Sequence, residues 1–103
     1  GVQPAAYAPD VYLVHAGEAA AGWAWQVARR LREQGAAVAM HAGGGSFKSQ
    51  MKKADASGAR YAVVIGDNEA ADARLVLKPL REASEQATLS LDEATDILKT
   101  KQC

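Results

Sequence analysis

Three short apolar runs, separated by two stretches of helical period, restrict this chain more than any other feature of its sequence. The runs are Val11-Tyr12-Leu13-Val14, Ala37-Val38-Ala39-Met40 and Tyr61-Ala62-Val63-Val64-Ile65. All three have strand length. The first reads as buried, and the third, nearly all apolar, as a central strand covered on both faces. Between the first two, Glu18 to Gln34 carries Ala20, Ala24, Val27 and Leu31 at helical spacing, with Arg29 and Arg32 turned away. Gly35 sits where a helix stops. Between the second and third, Ser46 is a suitable N-cap for a helix reaching about Ser57, with Phe47, Met51 and Ala54 as its buried stripe and Gly58 as its stop. Strands joined through helices run parallel, with right-handed crossovers.

After Gly66 the pattern changes. Ala73-Arg74-Leu75-Val76-Leu77-Lys78 alternates, placing Arg74 and Lys78 on one wetter face. Ala87-Thr88-Leu89-Ser90-Leu91 alternates too, and the short link between these runs favours an antiparallel pair. A last helix is expected from near Asp92, with Ala94, Thr95 and Leu98 inward. The order β-α-β-α-β-β-β-α predicts an α/β fold: a three-layer α/β/α domain around a mixed sheet. At 103 residues and 49% hydrophobic, the chain suits one such domain with a modest core. Residues 1–9, with Pro4 and Pro9, read as a linker, and residues 10–103 as the domain. Neither a signal peptide nor an apolar run of membrane-spanning length is visible, so no membrane role is expected. The only cysteine is Cys103, which leaves no disulfide framework or multi-cysteine metal site and fits a reducing cytoplasm.

Formal net charge is zero, so any binding of nucleic acid must come from a local patch rather than from the whole-molecule field. In an open α/β sheet, ligands gather outside the carboxyl ends of the parallel strands. Polar residues collect there: His15 and Glu18 after the first strand, His41 and a glycine run after the second, and Asp67, Asn68 and Glu69 after the third. Gly43-Gly44-Gly45-Ser46 leads into a helix N-terminus, whose free N–H groups and dipole favour an anion. The run matches neither GxxxxGK[ST] nor GxGxxG, and a turn needing positive φ explains glycines equally well. Lys48 and Lys52 lie one helical turn apart beside Lys53, as a basic patch or as a solvated helix face. The two histidines show no HExxH spacing, and no Ser-His-Asp or Cys-His order stands out, so neither a metal site nor a catalytic constellation is expected. Trp23 flanks the first helix's apolar stripe, while Trp25 lies off it and is the candidate for an interdomain contact. Phe47 and Tyr61 could stack on a base, but both fit buried positions.

Taken together, these residues form a longer pattern. His41-Ala42-Gly43-Gly44-Gly45-Ser46-Phe47-Lys48-Ser49-Gln50-Met51-Lys52-Lys53-Ala54-Asp55, then Gly58-Ala59 and Tyr61-Ala62-Val63-Val64-Ile65-Gly66, resembles the C-terminal anticodon-binding domain of bacterial histidyl-tRNA synthetases. The resemblance covers about residues 10 to 98 and extends to Glu69, to Lys78-Pro79-Leu80-Arg81 and to Glu85-Gln86. Pro79 departs from the family's usual Asp, and Arg81-Glu82-Ala83-Ser84 fills a longer link than its usual glycine turn.

The resemblance implies a five-stranded sheet of order 2-1-3-4-5 with strand four antiparallel. It implies recognition of the anticodon loop of histidine tRNA, with Gly43, Gly44, Gly45, Ser46, Lys48, Gln50, Lys52, Glu18, Glu69 and Lys78 as the residues facing RNA. Backbone amides and lysines would hold phosphate and sugar, and a carboxylate, Glu18 or Glu69, would read the two N–H donors of a guanine edge. It implies a cytoplasmic parent, a homodimer, whose separate catalytic domain is the histidine–tRNA ligase and holds ATP and magnesium; this domain would hold no cofactor and be non-catalytic. Two other readings stay open at this point: an accessory or regulatory protein that kept such a domain, and a flavodoxin-like module binding a phosphorylated small molecule.

Overall fold

The computed structural model describes residues 9–41, 45–81 and 85–102. Residues 1–8 of the expected linker, together with Gly43 and Gly44, lie outside the described residues. The strands are β1 (Val11–His15), β2 (Val38–Met40), β3 (Tyr61–Ile65), β4 (Arg74–Pro79) and β5 (Ala87–Ser90), and the helices α1 (Glu18–Glu33), α2 (Phe47–Ala56), α3 (Asp67–Ala71) and α4 (Leu91–Gln102). The sheet order is β2-β1-β3-β4-β5. β1 is parallel to β2 and β3, and β4 runs antiparallel to β3 and β5, so the mixed sheet has the expected topology.

The alternation along each strand decides what lies on either face. Val11, Leu13, Tyr61, Val63, Ile65, Leu75 and Leu77 point to one side, where they pack against Ala20, Ala24, Val27, Ala28 and Leu31 of α1 and Ala94 and Leu98 of α4. Ala20, Ala24 and Ala28 recur every fourth residue, so α1 meets the sheet along a row of small side chains. Val14 and Ala62 point to the other side, where Ala54 of α2 covers them with Phe47, Met51 and Leu80 around it. Fully burying a residue such as Leu13, Leu31 or Ile65 contributes about 1.5–3 kcal/mol.

Three local features differ from the sequence expectation. A short helix, α3, follows β3. It buries none of its residues, so it carries no apolar stripe to announce it. α4 begins at Leu91, one residue earlier than read, because Ser90 and Glu93 close a reciprocal cap: Glu93 Oε1 accepts the Ser90 N–H at 2.9 Å and Ser90 Oγ accepts the Glu93 N–H at 3.2 Å. Pro79, the family departure, is the last residue of β4. Leu80 N donates to Arg60 O on the β3 side, so the nitrogen of Pro79 faces the β5 side, where pairing stops at Leu77–Ala87. No ladder donor is lost there.

Candidate nucleic-acid interface

α2 enters beside the end of β1, and a buried amide holds it there. Gln50 is 0% exposed. Its Oε1 accepts the His15 N–H at 3.0 Å, and its Nε2 donates to His15 O and to Gly45 O, each at 2.9 Å. Both amide protons are thus used inside the fold, and Gln50 stands behind the surface rather than on it. The resemblance implies an RNA-facing residue here, whereas the side chain is buried. Its placement between Phe47 and Ala54 on the buried stripe was the available signal that it turns inward. Gly45 has φ +101, which favours glycine, and Ser46 caps α2 by accepting the Ser49 N–H at 3.2 Å.

The histidines belong to the same knot. His41 N donates to Leu13 O at 2.8 Å, the last ladder bond from β2's end. The His15 imidazole then donates from Nε2 to His41 O at 3.2 Å, and Tyr12 Oη lies 2.9 Å from His41 Nδ1. Among the described residues no group of three or more His, Cys, Asp or Glu could hold a metal ion.

The lysines lie along one open groove. Lys48, Met51, Lys52 and Asp55 of α2 form one wall, and Lys78, Pro79 and Leu80 the other. Lys78 stands opposite Ala62 in the β3–β4 register, on the face that α2 covers. Asp55 is held by Arg81, which donates to its carboxylate at 3.2 Å and to its carbonyl at 2.6 Å. None of the ion pairs among the described residues uses Lys48, Lys52 or Lys78. The groove is therefore net positive although the chain is neutral. Arg74 and Val76 continue the Lys78 face along β4, with Thr88 opposite Val76 on β5. The alternation of β4 was legible, but its meeting with α2 was not.

The carboxylates lie elsewhere, at the carboxyl ends of β1 and β3. Glu18 is exposed at the start of α1. Glu69 Oε1 accepts the Gly66 N–H at 2.8 Å, capping α3. The Asp67 carboxylate fills the space that a side chain on Gly17 would need, at α1's N-terminus, where the helix dipole favours a negative charge. The structure thus joins Lys48, Lys52 and Lys78 in a basic groove along the sheet, and leaves Glu18 and Glu69 on an acidic lip at its edge.

Trp25 is 62% exposed and shares α1's outer face with Gln26, Arg29, Arg32 and Glu33. Trp23 is half-buried and donates from Nε1 to Arg74 O at 2.7 Å. Tyr61 is buried in the core on the α1 side of the sheet, and Phe47 packs against the Val14, Ala54 and Ala62 cluster on the other side.

A model of the anticodon binding domain family matches residues 10–101. The histidine–tRNA ligase of Dechloromonas aromatica (strain RCB) is 60% identical over 99 residues, covering 95% of this chain and 23% of the relative. That of Nitrosomonas eutropha is 56% identical over 91 residues, covering 88% and 22%. The crystal structure of histidyl-tRNA synthetase from Nostoc sp. PCC 7120 superposes with a TM-score of 0.83 at 26% identity, over 93% of this chain and 23% of that one. The chain spans about a fifth of the length of these curated relatives. A family match running from the start of β1 almost to the end of α4 settles the family: the chain belongs to the anticodon-binding domains.

Proposed function

We propose that this chain is the anticodon-recognition module of a histidine–tRNA ligase. Residues 10–103 form the binding unit, and residues 1–9 connect it to a catalytic domain that attaches histidine using ATP and magnesium. The relatives' names support the ligase, and the groove of Lys48, Lys52 and Lys78 is the observation that carries the binding role. Cations along a groove follow a phosphate backbone, and each neutralised phosphate releases a counterion. The start of α2, with Gly45 and Ser46 beside Lys48, adds amide donors at a helix N-terminus. Gly43 and Gly44 remain candidates on sequence grounds alone. The acidic lip supplies acceptors for a guanine edge: Glu18 directly, and Glu69 through the carboxylate oxygen that Gly66 does not use. The parent is cytoplasmic and homodimeric in this reading. No helix among the described residues is long and apolar enough to cross a membrane. The flavodoxin-like and accessory readings are not favoured by relatives such as those of Nitrosomonas eutropha and Dechloromonas aromatica, which are named as histidine–tRNA ligases.

The test is fluorescence anisotropy with the complete protein. A stem-loop carrying the histidine anticodon is compared with the same stem carrying another anticodon, over a salt series. Tighter binding of the histidine loop, weakening as salt rises, is the expected result. Equal affinity for both loops removes the recognition role.

A further inference from the structure

We infer that Gln50 and His15 are positioning residues for the basic groove, a reading that rests on the RNA-binding role proposed above. In the parallel pairing of β1 with β2, Val11, Tyr12 and Leu13 face Val38, Ala39 and Met40. His41 N still donates to Leu13 O, so the next bonds from β1 on that side belong to the His15 N–H and carbonyl. The Gln50 amide takes both, accepting from the N–H and donating to the carbonyl as a neighbouring peptide would. The carbonyl of His41, which a continuing ladder would offer to the His15 N–H, accepts instead from the His15 imidazole. The two side chains thus take up these strand-end groups reciprocally, and among the described residues no buried side-chain polar atom lacks a partner.

This termination has a consequence for the groove. The second Gln50 proton goes to Gly45 O, the residue before α2's N-cap. One buried amide therefore joins the end of β1, the start of α2 and the loop residue between them. Lys48 lies two residues before Gln50 and Lys52 two after it, and both line the groove from α2. The register of α2 against β1 sets where their charges stand relative to Lys78. Neither Gln50 nor His15 needs to touch RNA for this.

The test compares Gln50→Met, similar in volume but without polar atoms, with His15→Phe, which removes the imidazole donor and leaves the amide in place. Histidine tRNA binding to the complete protein is measured over a potassium chloride series, below each variant's melting onset. Wild type and Lys48→Ala/Lys52→Ala are run alongside. Gln50→Met is expected to weaken binding about tenfold and to flatten the salt slope toward that of the double lysine variant. Joined to the lysine pair, it flattens the slope no further. If Gln50→Met does not fold, His15→Phe carries the test with a smaller shift in the same direction. A residue that only stabilises the fold lowers the melting temperature and leaves slope and affinity at the wild-type values; that result overturns the inference. Absence of binding by the wild-type protein overturns the proposed function instead.

Discussion

Gln50 takes both main-chain hydrogen bonds of His15, at 3.0 Å from the N–H and 2.9 Å to the carbonyl, in the place where β2 would have supplied them. Replacing Gln50 with Leu keeps the volume and strands three backbone groups: the His15 N–H, the His15 carbonyl and the Gly45 carbonyl. A buried group left without a partner costs about 1–3 kcal/mol, and partial relaxation at the loop lowers the sum. We expect Gln50→Leu to lose about 2–4 kcal/mol of unfolding free energy in urea, a large share of the stability of a domain this size. A loss under about 0.5 kcal/mol, the range of an ordinary surface change, would mean that the amide network carries little.

The groove makes a contrast among neighbouring lysines. Lys48 and Lys52 line it with Lys78, while Lys53, adjacent in sequence, does not. Each groove lysine changed to Ala should lower the slope of log binding constant against log salt by about 0.7–0.9, with stability within about 0.5 kcal/mol of wild type. Lys53→Ala should leave the slope nearly unchanged. Equal effects at Lys52 and Lys53 would indicate a diffuse charge effect rather than a groove.

The contrast also marks how far the sequence reaches. The parallel strands were legible because Val11 to Val14 and Tyr61 to Ile65 are apolar runs of strand length, each bounded by polar or glycine residues. Ser46 was legible as a cap because it sits just before a helical stripe. α3 was not, because Asp67 to Ala71 buries nothing and leaves no period to read. Gln50 joined the RNA-facing residues through the motif that the resemblance rests on, and a motif does not say which way a side chain points; here a strand end supplies its partners. The meeting of Lys48 and Lys52 with Lys78 depends on the β3–β4 register, which no local pattern encodes.

The cap of α4 predicts a pH dependence. The Ser90 N–H, and then its hydroxyl, hold the Glu93 carboxyl below its ordinary value, with Arg74 adding a smaller pull in the same direction. A carboxyl lowered in the folded state contributes stability that is fully present above its unfolded value, about 4.3, and is lost as pH falls through the folded value. Glu93→Gln retains an acceptor for the Ser90 N–H but does not titrate. Its melting temperature should fall less steeply than wild type's as pH is lowered from about 5 to 3. Parallel profiles would show that the cap's charge is immaterial.

Gly17 and Asp67 tie the acidic lip to the fold. Gly17 has φ +105, and a Cβ built on it would collide with the Asp67 carboxylate. Gly17→Ala therefore carries two costs: about 1–3 kcal/mol for a non-glycine residue in a sparsely populated backbone region, and the displacement of Asp67. Asp67→Ala opens the space but removes a negative charge from the N-terminus of α1, a loss of about 0.3–1 kcal/mol. The double variant keeps the backbone strain and avoids the collision, so it should be less destabilised than the two single losses combined, by at least about 0.5 kcal/mol. Thermal or urea unfolding of the four proteins measures this coupling. Strict additivity would mean that the carboxylate moves aside freely. Glu18, the next residue along, would then owe its place at the strand edge to α1 alone and not to the α1–α3 contact.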